Sequence, residues 1–220
     1  MSIKAIVFGS TGMVGEGVLH ECLKHPDVKE ILIINRRSYG VKHYKLKEIV
    51  HQDFTDFSAI DNQLIGYNAC YFCMGVSSIG MKEEEYRRIT HDLTLYIANL
   101  LVKKNAQMTF CYVSGAGTDS TEQGRSMWAR IKGKTENHLL KLPFKASYMF
   151  RPGYIQPTRG LKNTNKIYKV LSPMYPLLKT LFPKYVCTLE DLGRSMIYVT
   201  ANTPEIQILE NREISHFGKA

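Results

Sequence analysis

This sequence of 220 residues has no long hydrophobic run and no disulfide pattern. No segment approaches the ~20 consecutive apolar residues of a membrane-spanning helix, so we expect no membrane partner. A strand-like run begins almost at the first residue, so we expect no signal peptide and a cytoplasmic protein. The five cysteines are an odd number, and buried, reduced thiols are the expectation for such a protein.

Two of these cysteines, Cys70 and Cys73, have the spacing of a redox or metal-binding pair. Both lie in a predicted strand, where residues three apart point to opposite faces of the sheet. The pair therefore suits neither role, and the sequence predicts no metal site.

Acidic residues are fewer than basic ones, 20 against 29, which leaves a net charge of +9. The basic residues are spread along the chain, with a mild concentration from Arg159 to Lys184. No RNA-binding or helix-turn-helix signature accompanies them, so we expect no nucleic-acid partner. A basic surface also suits an anionic cofactor or substrate, or simply aids solubility.

Short apolar runs alternate with helix-like stretches along the whole chain. The candidate strands are Lys4–Phe8, Ile31–Asn35, Lys47–His51, Ala69–Cys73, Met108–Ser114, Ser147–Phe150 and Ile206–Glu210. The candidate helices are Gly15–Lys24, Glu83–Lys104 and Met127–Lys141, and another begins at Thr188. This alternation predicts a three-layer α/β fold with a doubly wound parallel sheet of about seven strands. A ligand crevice is expected at the carboxyl ends of the strands.

The length suits a single domain over residues 1–220. The periodicity loosens after Pro152, and prolines are frequent from there to Pro183. We predict that residues 152–187 form a small lid on the substrate side of the crevice, with loops and one or two short helices. Apolar and aromatic residues such as Ile167 and Tyr168 would line it.

Glycines recur at three-residue intervals in the turn after the first candidate strand, Gly9-Ser10-Thr11-Gly12-Met13-Val14-Gly15. A helical pattern follows at once, so backbone N–H groups and the positive end of a helix dipole point at one spot. The glycines would permit a tight turn, close approach of a phosphate, and close packing of helix on strand. We predict that this turn binds the phosphates of a nucleotide; the alternative is a structural glycine-rich turn.

No carboxylate stands at the end of the second candidate strand, where NAD-binding folds usually place an acid on the ribose 2′-hydroxyl. The residue there, twenty after Gly15, is Asn35, and Arg36 and Arg37 follow it. With no acid to repel a 2′-phosphate and two guanidinium groups to bind it, the pattern favours NADP(H) over NAD(H). The alternative is a pair of solvated arginines.

Two other segments lie where a dinucleotide would pass. Asp53 and Phe54, just after the third candidate strand, could hold the adenine ring, although Asp is also a common turn former. Cys73-Met74-Gly75 ends the fourth candidate strand beside the first. Glycine there would let the backbone approach the cofactor closely.

Together these residues resemble the atypical branch of the short-chain dehydrogenase/reductase superfamily, from the N-terminus to about residue 160. The motifs are Gly9-x-x-Gly12-x-x-Gly15, Phe72-Cys73-Met74-Gly75, Tyr112-Val113-Ser114, Lys132-Gly133-Lys134-x-Glu136 and Phe150-Arg151-Pro152-Gly153. The resemblance implies a Rossmann fold with a bound NAD(P) cofactor. It also implies cofactor contacts from Lys132, Arg151 and Pro152.

The superfamily carries a catalytic Ser at the end of the fifth strand and a Tyr-x-x-x-Lys pair on the next helix. By resemblance, Ser114 and Lys132 are the catalytic residues, but the position of the Tyr holds Trp128. An indole N–H donates a hydrogen bond and does not titrate near neutral pH, so it cannot shuttle a proton. The usual general acid is therefore absent.

Three interpretations of Trp128 and Lys132 stay open. In the first, Lys132 holds the nicotinamide ribose and Trp128 stacks near the nicotinamide, without turnover. In the second, another group such as Tyr154 or an ordered water supplies the proton. In the third, Trp128 only packs and Lys132 is a surface lysine.

These interpretations lead to competing functions. One is an NADP(H)-dependent oxidoreductase acting on a small carbonyl or alcohol. Another is a non-catalytic NADP(H)-sensing protein that regulates a protein partner. A sugar-nucleotide epimerase fits less well, because that class generally needs the Tyr and a larger substrate domain than the roughly 70 residues after the sixth candidate strand.

Overall fold

The computed structural model describes residues 2–163 and 175–220. The strands are β1 (Ile3–Phe8), β2 (Val28–Asn35), β3 (Leu46–Val50), β4 (Ala69–Phe72), β5 (Thr109–Val113), β6 (Ala146–Arg151), β7 (Tyr154–Gln156), β8 (Val186–Thr188) and β9 (Ile208–Glu210). The α-helices are α1 (Met13–Lys24), α2 (Glu83–Arg87), α3 (Leu93–Lys104), α4 (Met127–Leu139), α5 (Tyr175–Leu181), α6 (Leu189–Asn202) and α7 (Asn211–Phe217). Short 3₁₀-helices lie at Ser58–Leu64 and Pro183–Tyr185, and a π-helical turn at Arg88–Asp92 joins α2 to α3.

Seven strands form one sheet in the order β3-β2-β1-β4-β5-β6-β9. Every neighbouring pair in this sheet is parallel. The chain leaves β1 towards one edge and returns to the other side of β1 at β4, so the strand order reverses between these two strands. Ligands of doubly wound sheets bind at the carboxyl ends of the strands at such a point. The predicted fold class is confirmed.

Two apolar clusters cover the two faces of the sheet. Strand β1 contributes Ile3, Ala5 and Val7 to one cluster and Ile6 and Phe8 to the other, which is the period-two alternation of a strand buried on both faces. Helices α1, α6 and α7 complete the first cluster, and α3 and α4 complete the second. The sheet is therefore the middle of three layers.

The long candidate helix Glu83–Lys104 is present but interrupted by the π-helical turn at Arg88–Asp92. Helix α6 begins as predicted: the Thr188 side chain accepts from the Asp191 N–H at 2.9 Å, and Asp191 completes a capping box. Sequence periodicity missed the two-stranded sheet of β7 and β8 and helix α7. These elements have three to seven residues, which is too short for a periodic pattern to emerge.

The described part of the predicted lid contains β7, α5 and a 3₁₀ turn at Pro183–Tyr185. Its candidate lining residues Ile167 and Tyr168 lie outside the described residues. The division into one domain with a lid therefore stays a prediction.

All five cysteines are free thiols. Cys70 packs in the second apolar cluster and Cys73 against the first, so the two point to opposite faces of the sheet as expected. Within residues 2–163 and 175–220, no three His, Cys, Asp or Glu side chains are grouped so that they could hold a metal ion. None of the helices described has the length and apolar character that a membrane crossing requires.

Candidate functional site

The backbone itself requires two of the three glycines in the turn after β1. Gly9 has a φ of +79°, and a Cβ on it would lie 2.8 Å from the backbone of Cys73 and Met74. A Cβ on Gly15 would lie 2.1 Å from the Gly9 carbonyl oxygen. The turn therefore packs tightly against the end of β4 and against the first turn of α1, as the glycine spacing predicted.

The amino end of α1 is open to a ligand. Helix α1 begins after Gly12, which has no side chain to cap it, and the Gly12 carbonyl accepts the first helical bond from the Glu16 N–H at 2.8 Å. The N–H groups of Met13, Val14 and Gly15 therefore have no acceptor within the helix. A Cβ on Gly12 would meet only one atom, the Gly9 oxygen at 3.4 Å. Open space beside free N–H groups at a helix amino end fits a phosphate.

The two polar side chains of the turn differ in direction. Thr11 is exposed, whereas the Ser10 hydroxyl is buried and donates to Asn35 Oδ1 at 2.9 Å. Asn35 in turn donates from Nδ2 to Glu48 Oε1 at 3.1 Å. Ser10 and Asn35 therefore join the glycine turn to the end of β2 and to β3. The hydrogen bonds of both side chains are made to other residues of the protein.

Glu48 on β3 is a residue that the sequence reasoning missed. Its carboxylate also accepts from the Tyr39 N–H at 2.6 Å and the Ser38 hydroxyl at 2.9 Å. Burial acts to raise the pKa of Glu48, but these hydrogen bonds and the one from Asn35 hold it below its ordinary value. The carboxylate thus fixes the loop after β2. An acidic residue inside a strand was the only sequence signal for this role.

The loop that Glu48 fixes begins with Arg36 and Arg37, directly after the last residue of β2. Both side chains are exposed, and neither forms an ion pair with any residue that the structure describes. The Arg36 carbonyl accepts from Gln52 Nε2 at 2.5 Å, which fixes the backbone there. Two guanidinium groups are therefore free to bind an anion beside the glycine turn.

Asp53 forms a turn of its own. Its Oδ1 accepts from the Thr55 hydroxyl at 2.6 Å and the Thr55 N–H at 2.8 Å. These two hydrogen bonds lower the pKa of Asp53. Phe54 packs edge-on against Phe57, with ring centroids 5.5 Å apart. The contact of Asp53 and Phe54 with an adenine ring stays a prediction.

The end of β4 lies against the glycine turn. The Cys73 N–H donates to the Phe8 carbonyl at 3.0 Å, and Cys73 and Met74 are the backbone that a side chain on Gly9 would strike. A Cβ on Gly75 would meet nothing within 4 Å. Gly75 therefore borders open space next to the turn.

The structure brings Ser114 and Lys132 together at the end of β5. The Lys132 ammonium donates to the Ser114 carbonyl oxygen. Burial lowers the pKa of Lys132 to about 8, and the charge of Glu136 acts in the opposite direction. Lys132 is therefore a half-buried cation at the site and not a solvated surface lysine.

The Ser114 hydroxyl points to a buried carboxylate. It donates to Glu136 Oε1 at 2.5 Å, with the Phe150 carbonyl 3.1 Å away as a second acceptor. Arg151 forms an ion pair with Glu136 and a weaker one with Glu210 at 3.5 Å. The Arg151 side chain is thus engaged with two carboxylates.

Pro152, next to Arg151, accepts from the Ala116 N–H at 2.9 Å through its carbonyl oxygen. This bond joins the end of β6 to the loop after β5. The predicted contacts of Arg151 and Pro152 with a cofactor stay predictions.

Trp128 lies near the start of α4 and is half-buried. A Cβ on Gly117 would lie 3.5 Å from Trp128 Cη2, so the indole ring lies over the loop after β5. Tyr154, the other candidate for the proton donor, is on β7 and its hydroxyl donates to Gln156 Oε1 at 3.2 Å. The structure thus places Trp128 near the same loop as Ser114.

The model of the NAD dependent epimerase/dehydratase family matches residues 5–126, which is more than half of the chain. The match contains most of β1, the glycine turn, β2 to β5 and Ser114. The chain belongs to this family. The family is described as NAD dependent, which supports a dinucleotide cofactor for the site built around α1.

Two relatives align with this chain over nearly its whole length. One is "Protein FMP52-1, mitochondrial" of Scheffersomyces stipitis, 22% identical over 99% of this chain and 99% of its own length. The other is "Protein HTATIP2" of Rattus norvegicus, 23% identical over 97% of this chain and 88% of its own length. The predicted resemblance to the short-chain dehydrogenase/reductase superfamily is confirmed.

A solved structure has the same fold. It is the Helicobacter pylori ADP-L-glycero-D-manno-heptose-6-epimerase, with a TM-score of 0.67 and 14% identity over 99% of this chain and 81% of that one. At this identity the likeness shows the fold alone.

The expectation of a cytoplasmic protein is wrong. It was based only on the lack of a recognisable leader, whereas the FMP52 relatives of three yeasts are named mitochondrial.

Proposed function

We propose that this chain is an NADP(H)-binding oxidoreductase that acts on a small carbonyl or alcohol. The observation that carries the proposal is the open amino end of α1 at Gly12, with Lys132 and Ser114 at the same edge of the sheet. Strands β1 and β5 both end at this edge, with β4 between them. A dinucleotide on the glycine turn would reach Lys132 with its nicotinamide end.

The preference for NADP(H) is supported by the loop after β2. Asn35 is neutral and its amide is engaged with Ser10 and Glu48, so no carboxylate is directed to a ribose at that position. Arg36 and Arg37 are exposed on the adjoining loop. Guanidinium groups bind phosphate through charge-assisted hydrogen bonds, which suits a 2′-phosphate.

The chain's own residues would divide the work as follows. The N–H groups of Met13, Val14 and Gly15 hold the pyrophosphate, and the Lys132 ammonium holds a ribose hydroxyl. A bound nicotinamide supplies or accepts a hydride. Lys132 Nζ donates to the Ser114 carbonyl oxygen, and its pKa of about 8 suits a group that gives up and regains a proton near neutral pH. Trp128 covers the loop after β5 and excludes water there.

The test of this proposal is a titration of the purified protein with NADPH and with NADH. Trp128 is the only tryptophan, so its fluorescence reports on one position. NADPH is expected to quench it, to show energy-transfer emission, and to bind more tightly than NADH. A free tryptophan amide at matched absorbance corrects for light absorbed by the cofactor. Absence of binding by either cofactor at about 1 mM would overturn the proposal.

A non-catalytic NADP(H) sensor is the second candidate, and Trp128 is the observation that favours it. The indole stands where the superfamily has its titrating tyrosine, and it cannot shuttle a proton. A sensor would bind NADPH and oxidise none of it in the presence of any of a panel of aldehydes and ketones. Steady oxidation of NADPH with one of them identifies an enzyme.

A sugar-nucleotide epimerase is the third candidate, favoured by the description of the family. This chain lacks the tyrosine, and about 70 residues follow β6, which is small for a separate substrate domain. Incubation with NAD and UDP-glucose or UDP-galactose, followed by chromatography of the sugar nucleotides, tests this candidate directly.

A further inference from the structure

Glu136 is a buried carboxylate with no role yet in the proposed function. It lies on α4, four residues after Lys132, and so on the same face of that helix. Its side chain is fully buried, with 0% of its surface exposed. A buried carboxylate is costly unless it is paired and hydrogen-bonded, so its contacts show what it is placed to do.

Arg151 on β6 holds one side of this carboxylate. Its Nε lies 3.1 Å from both carboxylate oxygens of Glu136, and its Nη2 forms an ion pair with Oε2. Arg151 is itself positioned by the Ser120 hydroxyl at 2.5 Å and by Glu210 at 3.5 Å. Burial opposes the charge of Arg151, but Glu136 and Glu210 together raise its pKa above the ordinary value. The geometry is that of a charged, bidentate pair.

Ser114 holds the other side. A serine hydroxyl has one proton to donate and two lone pairs that accept. Glu136 Oε1 is 2.5 Å from the Ser114 oxygen, whereas the Phe150 carbonyl is 3.1 Å away. A charged acceptor at the shorter distance forms the stronger bond. The hydroxyl proton of Ser114 is therefore directed to Glu136.

Helix α4 thus contacts Ser114 at two atoms. Lys132 donates to its carbonyl oxygen, and Glu136 accepts from its hydroxyl. Since the two side chains are one helical turn apart, the orientation of Ser114 is fixed by a single rigid element.

We propose that Glu136, clamped by Arg151, is a positioning residue that accepts the hydrogen bond of the Ser114 hydroxyl, so that this hydroxyl can only accept a hydrogen bond from a ligand. The ligand group opposite Ser114 is then a hydrogen-bond donor, such as the hydroxyl of the alcohol form of a substrate, and the oxygen of the carbonyl form takes its hydrogen bond from another group. This inference rests on the proposed function, because Ser114 meets a substrate only if the site binds one.

The test uses NMR spectroscopy of the full chain without cofactor, so it does not depend on activity. The first measurement is the exchange of the Ser114 hydroxyl proton with water, with Ser114→Ala to assign the signal. The second is the pH titration of the Lys132 ε-carbon, assigned with Lys132→Met. Glu136→Gln removes the charge, and Glu84→Gln, at an exposed position on α2, is the matched control.

A second variant is needed because Glu136→Gln leaves Arg151 buried without its partner and can weaken folding. The pair Glu136→Leu with Arg151→Met replaces both charges by apolar groups of similar size, which a folded chain tolerates better. Circular dichroism establishes that this variant is folded before the NMR measurements.

The wild-type chain is expected to show a protected Ser114 hydroxyl proton, and the double variant to exchange it at least ~10-fold faster, since the charged acceptor is gone. Glu136→Gln is expected to move the Lys132 titration to lower pH, and Glu84→Gln to leave it in place. Equal protection in the folded double variant, or an unmoved Lys132 titration, would overturn the inference. Both readouts hold even if neither nicotinamide cofactor binds, which separates this result from failure of the proposed function.

Discussion

The Ser10 hydroxyl donates to Asn35 Oδ1 at 2.9 Å, and this buried bond joins the glycine turn to the end of β2. Asn35 can make this bond and also donate to Glu48 at 3.1 Å, because an amide both accepts and donates. An aspartate could not donate to Glu48. Position 35 therefore has an amide, and the carboxylate next to it belongs to Glu48 on β3. This carboxylate fixes the loop that carries Arg36 and Arg37.

Replacing Asn35 with Asp tests this relationship. In Asn35→Asp the new carboxylate faces Glu48, so the free energy of unfolding should fall by about 1–3 kcal/mol at pH 7. The two like charges raise one of the two carboxyl pKa values. The loss relative to wild type is therefore present at neutral pH and shrinks as the pH falls towards about 4.

Urea denaturation at pH 7 and at pH 5 measures this difference. Asn99→Asp, at an exposed position on α3, is the control and should change little. A stability of Asn35→Asp equal to that of wild type at pH 7 would contradict the Ser10–Asn35–Glu48 arrangement.

Arg36 is expected to bind the 2′-phosphate of NADP(H). Arg36→Ala should weaken NADPH binding by about 10- to 100-fold, the size of a lost charge-assisted pair, and should change NADH binding little. Arg212→Ala, which removes an exposed arginine on α7, is the matched control. Dissociation constants from the Trp128 titration decide the outcome, and an equal loss for both cofactors would reject this role.

Alanine substitutions at Gly9 and Gly75 distinguish a glycine needed for packing from one that borders the expected ligand site. Gly9→Ala places a Cβ 2.8 Å from the Cys73 backbone at a φ of +79°, so the free energy of unfolding should fall by about 2–4 kcal/mol. Gly75→Ala meets nothing within 4 Å and should leave stability within about 0.5 kcal/mol of wild type. It should weaken cofactor binding if the cofactor passes there. Thermal unfolding with and without NADPH measures both effects.

Lys132 should make cofactor binding depend on pH. Its pKa is lowered by burial to about 8, and the protonated form is the one that binds a ribose hydroxyl as a charged donor. Binding is therefore strongest below pH 8 and weakens as the pH rises from about 7 to about 9. Lys132→Met should bind more weakly at pH 7 and lose this step. A flat pH profile for wild type would show that Lys132 does not contact the cofactor.

Trp128→Tyr restores a titrating hydroxyl at the position that the superfamily uses for proton transfer. If the native protein lacks only this group, the variant should reduce a carbonyl substrate at least ~100-fold faster than wild type, within the usual range of general acid catalysis. Trp128→Phe is the control, because it gives a ring of similar size without the hydroxyl. NADPH oxidation followed by absorbance is the measurement; equal rates for the tyrosine and phenylalanine variants would show that the hydroxyl adds nothing.

The amino-acid sequence by itself determined the order in which the strands of the main sheet and the helices follow one another along the chain. It also determined the position of the glycine turn. These features depend on local signals: alternation within β1, the helical pattern of α1, and glycines three residues apart. Each of these signals arises from the backbone geometry of a strand, a helix or a tight turn, so a stretch of neighbouring residues is enough to show it. The hypothesis that Trp128 replaces a catalytic tyrosine also came from the sequence alone, because it depends only on residue type, and it stays a prediction.

Only the tertiary structure decided which polar side chains form hydrogen bonds with one another within the protein. The bond from Ser10 to Asn35 spans 25 residues, and the bond from Ser114 to Glu136 spans 22. No periodic pattern encodes such pairs, because each forms only when separate strands and helices meet at one edge of the sheet. For the same reason, the hydrogen bonds by which Glu48 and Glu136 position their neighbours were visible only in the folded structure. The carboxylate of Glu136 in particular is fully buried, and a buried carboxylate needs partners that only the folded chain brings to it.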